Sequence, residues 1–420
     1  MPIMIPDETP ANDLADATPP SPEPEACPPR TVVRKILRIA VRTLVVAVVL
    51  LLLGVVGLLG DAKIRSGEAV TLPAPTGPSP VGRAVFDWTD HSRVDPYAPQ
   101  GSTPRELSVV VWYPAAPAPR ATQTSYLPPG WQEALGDGGW LNALSRTPPS
   151  LIHPHAVADA PVDGAAPHPV LVFAPGMGLR ATDYTVIAED LASHGYVVAG
   201  VTPTYSTDVV LADGRVARRV DRAGDGGDVA ANVQLWADDL RFTVTQLAAV
   251  NDTADSPFHG RLDTKSVGLF GHSLGGAAAT LACHHESACV GAVDIDGYLF
   301  GDVLNDGLGK PFGFLGNQDS MAKDAPQRGM LRQTLRGVAA GQGHVWTVAG
   351  ASHYNFTDRG VYFNLLRSQV AHLGPIDGAR ASAITNAYTR AFFDAYLRGR
   401  PAPPLTGESS TYPEVRQESP

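Results

Sequence analysis

Cysteine is nearly absent, with three in 420 residues, too few for a small disulfide-stapled scaffold or a cysteine-rich metal module. No Cys, His and Asp set is spaced for metal ligation, so neither a metal nor another cofactor is expected. Charge is sparse at 18% of residues and its excess is acidic, a net −10, which excludes the basic footprint that nucleic acid requires. Repeats are also missing, which removes solenoids and propellers. What is plentiful is glycine (42), proline (38) and hydrophobic side chains (44%), enough for a sizeable core.

The charge is unevenly placed. Asp7, Glu8, Asp13, Asp16, Glu23 and Glu25 stand in residues 1–29 without a base. Arg30, Arg34, Lys35, Arg38, Arg42, Lys63 and Arg65 then face only Asp61. Between them Thr43 to Gly60 reads TLVVAVVLLLLGVVGLLG, with no charge. At ~1.5 Å per residue this run spans ~27 Å, the thickness of a hydrocarbon layer. A single-pass helix over 36–60 is therefore expected. The preceding bases place the N-terminus in the cytoplasm and the rest outside. The alternative is secretion after cleavage near Gly60 or Ala62. Around this helix the expected organisation is a disordered acidic and proline-rich tail with its basic flank (1–35), a linker (61–80), one catalytic domain (81–400) and a flexible C-terminal tail (401–420). An exterior location permits a bridge between Cys283 and Cys289; two buried free thiols are the other reading.

In the body, strand and helix signals alternate. RELSVVVWYPA (105–115), PVLVFA (169–174), YVVAGV (196–201), SVGLF (266–270), CVGAVDI (289–295), PFGFLG (311–316) and HVWTVAG (344–350) read as strands. Apolar positions Tyr184, Ile187 and Leu191, then Val233, Trp236, Leu240, Val244 and Leu247, fall at helical spacing, and a terminal helix is expected over 383–397. This order predicts a mostly parallel sheet covered by helices on both faces.

Strand SVGLF runs into Gly271-His272-Ser273-Leu274-Gly275-Gly276 and then AAATLAC. G-x-S-x-G is a weak signal alone. Between a buried strand and a small-residue helix it describes a nucleophile elbow, whose strained serine tolerates no bulky neighbours. The serine needs a base and an orienting acid, following it in the order acid, then His. His353, in AGASHYNF after a strand, stands where the base belongs. His284 and His285 lie on the elbow's own helix, His344 begins a strand, and His372 is expected on a helix. His272 reads as a packing residue or a support for the site rather than the base. For the acid, Asp296 and Asp319 each follow a strand, and the residue pattern leaves both open. Asp294 lies deeper in its strand and is expected to support the site from behind or to be structural. The oxyanion donors are expected to be the N–H groups of Leu274 and Met177, the latter in the loop Pro175-Gly176-Met177-Gly178. Residues 116–168, with Tyr126, Trp131, Trp140, His153 and His155, read either as a lid or acyl pocket or as a surface insertion.

Together VVVWYPA, FAPGMG, DLASHGYVVAGV, GHSLGG, VDIDGYLF and AGASHYNF resemble the platelet-activating factor acetylhydrolase type of α/β-hydrolase, its plasma and intracellular type II branch and bacterial relatives, over about Val81 to Leu397. The resemblance implies an α/β-hydrolase fold, Ser273 as nucleophile, Asp296 as acid and His353 as base, and calcium-independent hydrolysis of short or phospholipid-type acyl esters. Pro175 departs from the family's usual His-Gly pair, and the anchor lies outside its pattern. A cutinase-like, polyester-hydrolase or thioesterase activity is the alternative within enzymes, and a tethered ligand-binding protein the alternative outside them. The expected partners are a small-molecule or lipid ester and, through the helix, a membrane.

Overall fold

The computed structural model describes residues 30–99, 101–118, 122–136, 147–223, 227–363, 372–405, 407 and 409–419. The acidic tail before Arg30 lies outside them. The chain divides into two compact units at Gly57 and Leu58. This boundary falls within helix α1 (Arg30–Ser66), whose segment Thr31–Asp61 is long and apolar enough to cross a membrane. Its aliphatic side chains are exposed.

The body is built on a ten-stranded sheet. Its strands are β1 (Val81–Val94), β2 (Pro104–Pro114), β3 (Val157–Ala158), β4 (His168–Ala174), β5 (Val197–Thr202), β6 (Leu262–His272), β7 (Cys289–Ile295), β8 (Phe312–Asn317), β9 (Gly343–Val348) and β10 (Val415–Gln417), in the spatial order β10-β9-β8-β7-β6-β4-β5-β2-β1-β3. The stretch from β5 to β9 is parallel. β2 joins β5 antiparallel, as β1 joins β2 and β10 joins β9. This is the expected α/β-hydrolase architecture.

Alternation of side chains builds a core on each face. Val109 and Val111 of β2, Val170 and Val172 of β4 and Leu269 of β6 pack with Val233, Trp236 and Leu240 of α3 (Val229–Asp252) and with the alanines of α4 (Leu274–His285). The intervening residues Val110, Trp112, Leu171, Phe173 and Phe270 pack with Ile187 and Leu191 of α2 (Thr185–Ser193) and with Ile384, Phe392 and Phe393 of the terminal helix (Gly378–Tyr396). Burial of each such large apolar side chain stabilises the fold by about 1.5–3 kcal/mol. Helix α3 is also capped, with the Asp228 carboxylate accepting from the N–H groups of Ala230 and Ala231.

Three features differ from the sequence expectation. β1, the longest strand, carries Arg83, Asp87, Asp90 and Arg93, which obscure its apolar pattern. The last twenty residues, expected as a flexible tail, contribute edge strand β10, and Glu414 pairs with Arg380 at 2.8 Å. The stretch expected as linker is laid onto the body from Val70 onward. Val70 and Thr71 pair with Ile152 and His153, and the Asp190 carboxylate accepts from the Thr76 N–H and hydroxyl. Cys283, near the end of α4, is disulfide-bonded to Cys289 at the start of β7, so the bridged reading holds.

Candidate active site

β6 ends at His272 and α4 begins at Leu274, leaving Ser273 alone in the turn at φ 56° and ψ −125°. A non-glycine residue rarely holds a positive φ. The surroundings must therefore be bare of side chains: a Cβ on Gly271 would lie 2.2 Å from the Gly275 carbonyl oxygen, and one on Gly275 would lie 2.2 Å from that of Ala174. Packed this tightly, the turn holds the hydroxyl at the carboxyl edge of the sheet.

Two other strand ends converge on it. Ser273 Oγ lies 3.0 Å from His353 Nε2, and His353 Nδ1 lies 2.7 Å from Asp296 Oδ2. The imidazole is partly open to solvent while the Asp296 side chain is buried. Burial drives the Asp296 pKa up, but hydrogen bonds from His353, from the Asn317 N–H and from the Ser320 hydroxyl outweigh it and leave the carboxyl below its ordinary value. The Asn317 side-chain amide adds 2.9 Å contacts to both carboxylate oxygens. Asp296 is thus an anion set against a histidine, and a serine lies on the histidine's other nitrogen. Such a line of groups can move a proton off the hydroxyl.

The remaining candidates fall apart from this line. Asp319 is exposed one turn beyond β8, its N–H bonded to Asn317 Oδ1 at 2.8 Å. Asp294 is buried beneath the elbow and accepts the Gly297 N–H at 2.9 Å; burial raises its pKa well above the ordinary value. His284 and His285 occupy the last turn of α4. His344 stacks on Trp346. His372, expected on a helix, stands in a turn and accepts the Tyr354 N–H on its carbonyl. Leu274 is the first residue of α4, so its N–H has no intrahelical acceptor, and the Met177 N–H has no hydrogen-bond partner among the described residues. The carbonyls of Pro175 and Ala174 occupy the space a Cβ on Gly275 would need.

Sequence reasoning read His272 as a packing residue or a support for the site rather than as the base. In the fold its buried ring joins three loops. Tyr184 donates its hydroxyl to His272 Nδ1 at 2.7 Å and accepts the Gly176 N–H at 2.9 Å, while His272 Nε2 donates to the His353 carbonyl at 3.0 Å. Burial and the neighbouring His353 ring press the His272 pKa well below the ordinary value, so the ring is neutral, with its proton on Nε2. Asn317, Ser320 and Tyr184 were missed because their partners are distant in sequence. Tyr126 and Trp131 are buried in a separate cluster with Tyr205, Val209 and Tyr362. His153 pairs in a short strand, and His155 bonds the Leu72 carbonyl through Nε2. None of these four lines the cavity at Ser273, and Trp140 lies outside the described residues. His272, Asp296 and His353 present ligand atoms within 4.8 Å of one another, but each nitrogen or oxygen is engaged within the hydrogen-bond line just described.

Residues 64–204 match the family model for platelet-activating factor acetylhydrolase, isoform II. The chain is 26% identical over 378 residues to the Arthroderma benhamiae protein named "Probable 1-alkyl-2-acetylglycerophosphocholine esterase", covering 82% of this chain and 92% of that protein. It is 22% identical over 298 residues to the platelet-activating factor acetylhydrolase of Cavia porcellus, covering 64% and 66%. Among solved structures, the ferulic acid esterase from Streptomyces cinnamoneus superposes with a TM-score of 0.70 at 30% identity, over 84% of this chain and all of that one. By its fold the chain is an α/β-hydrolase, and these matches, with their resemblance to the platelet-activating factor acetylhydrolases, support a carboxylic ester hydrolase.

Proposed function

We propose that the protein hydrolyses short-chain acyl esters through an acyl-Ser273 intermediate. The single observation that carries this reading is the unbroken line from Ser273 Oγ through His353 to Asp296. His353 Nε2 takes the hydroxyl proton as Ser273 Oγ attacks the ester carbonyl carbon. The oxyanion of the tetrahedral intermediate is met by the N–H groups of Met177 and Leu274, with the N-terminus of α4 behind the latter. His353 then passes its proton to the leaving alcohol. In the second half it deprotonates water, which attacks the acyl carbon and releases the acid. Asp296 orients the ring and stabilises its cationic form throughout.

Helix α1 tethers the enzyme to a membrane with its N-terminus in the cytoplasm and the body outside. The Cys283–Cys289 bridge supports this side of the membrane, since such bonds persist in oxidising compartments. The test of the chemistry is p-nitrophenyl acetate hydrolysis by the detergent-solubilised full chain, with Ser273→Ala alongside. Loss of at least ~10⁴-fold in kcat is expected; equal rates would sink the reading, and failure of Ser273 to label with a fluorophosphonate would favour a non-catalytic binding role. A second reading, esters of ferulic acid, is favoured by the overlap with the ferulic acid esterase over all of that chain and 84% of this one. Methyl ferulate, long-chain esters, polyesters and thioesters in the same panel separate it from short-acyl, cutinase-like and thioesterase activities.

A further inference from the structure

Two residues at the site hold a positive φ. Asp296 stands at 56°, as Ser273 does, a region that a non-glycine residue keeps only where its neighbours fix it. The peptide plane before Asp296 is held by its own N–H, which donates to the Leu315 carbonyl at 3.0 Å. The plane after it is held by the Gly297 N–H, which donates to Asp294 Oδ1 at 2.9 Å. These two planes set φ and ψ of Asp296, and with them the direction in which its side chain leaves the strand end.

Asp294, near the end of β7, is fully buried, and its carboxyl is wedged between the two turns. A Cβ on Gly276, in the first turn of α4, would lie 1.9 Å from Asp294 Oδ1. One on Gly297 would lie 2.4 Å from the same oxygen and 2.3 Å from the Ser273 carbonyl oxygen. Between the two aspartates, Ile295 accepts the Ser273 N–H on its carbonyl at 2.8 Å. The Gly297 carbonyl is held in turn by Gln327 Nε2 at 2.6 Å. Burial keeps the Asp294 carboxyl well above its ordinary pKa, and the nearby Asp296 charge pushes the same way. The group therefore stands as a neutral acid, and what the turn draws on is its acceptor oxygen rather than a charge.

Resting on the serine-esterase reading above, we infer that Asp294 is a positioning residue: through the Gly297 N–H it closes the turn that carries Asp296 and so keeps that carboxylate on His353 Nδ1. The experiment is a double-mutant cycle on the detergent-solubilised full chain with p-nitrophenyl acetate. Asp294→Ala leaves the Gly297 N–H without its acceptor, and kcat should fall about 10- to 100-fold with KM changed less than about twofold. Asp294→Asn keeps an uncharged acceptor of the same outline and should return kcat to within about threefold of wild type. In the Asp296→Asn background, Asp294→Ala should cost less than about threefold, because no carboxylate is left to place. A residue that only stabilises the fold would cost the same factor in both backgrounds. That equal factor, an unchanged kcat in Asp294→Ala, or an Asp294→Asn variant as damaged as Asp294→Ala would each overturn the inference. Asp294→Leu, similar in outline and also without an acceptor, takes the place of Asp294→Ala in the cycle if a thermal melt shows that the latter folds poorly. Ser273→Ala run beside them separates the two levels. Residual hydrolysis in that variant refutes the serine mechanism, whereas its silence together with an additive cycle refutes only the role of Asp294.

Discussion

The turns after the neighbouring strands β7 and β8 each place an aspartate at the carboxyl edge of the sheet, and they differ in what surrounds them. Asp296 is sunk against His353 and receives hydrogen bonds from the Asn317 N–H, the Asn317 amide and the Ser320 hydroxyl. Asp319 is exposed, and it enters the turn through its backbone, giving its N–H to Asn317 Oδ1 and accepting the Ala322 N–H on its carbonyl. The β8 turn thus lends its donors to the aspartate of β7. Position in the fold makes either residue eligible as the acid; under the proposed mechanism the donors favour Asp296.

The largest expected effect breaks the first half of this comparison. Asp296→Asn keeps the shape but places an amide against His353 Nδ1, which favours the wrong tautomer. A fall in kcat of about 10⁴-fold is expected, measured with p-nitrophenyl acetate in parallel with a thermal melt showing that the fold persists. A fall below tenfold would move the acid elsewhere.

Next in size is removal of the donors. The Asp296 pKa is depressed in the fold, so its anionic form adds stability above the unfolded pKa, and this is lost as pH falls through the folded value. In Asn317→Ala/Ser320→Ala the depression shrinks. The acid limb of the kcat/KM profile should shift to higher pH, with kcat at neutral pH lower by about 10- to 100-fold. An unmoved acid limb would show that His353 alone holds the carboxylate charged.

Tyr184→Phe tests whether the three loops are tied as the geometry suggests. The ring stays packed on Phe173, while Gly176 loses its acceptor and His272 its donor. About a tenfold fall in kcat with KM little changed is expected, since an orphaned buried group costs roughly 1–3 kcal/mol. A parallel change in melting temperature and rate with no kinetic split would mark the tyrosine as packing only.

These contrasts also explain what could be read from the chain in advance. Ser273 and its elbow are visible because the strained turn imposes its requirements on adjacent residues, Gly271, Gly275 and Gly276, so the cause and its signature lie within six positions. His353 is visible by its place after a strand. The choice between Asp296 and Asp319 is invisible from residue pattern, because it rests on Asn317 and Ser320 reaching back 21 and 24 residues. The Tyr184 contact spans 88 residues, and no periodicity reports it. In the fold, parallel strands buried on both faces announce themselves as apolar runs. β1 does not, because Arg83, Asp87, Asp90 and Arg93 interrupt it, and β10 does not, because three residues at a sheet edge carry too little pattern.

The smallest effect sharpens the comparison from the other side. An exposed carboxylate is screened by water and salt, so deleting its charge alters the field at His353 only weakly. Asp319→Asn should therefore change kcat/KM for p-nitrophenyl acetate by less than about threefold and leave the acid limb of the pH profile in place. The same variant read beside Asp296→Asn gives the ratio that matters. If Asp319→Asn were instead the more damaging of the two, the donors around Asp296 would be serving a structural turn, and the hydrogen bond between His353 and Asp296 would have to break before the serine reacts.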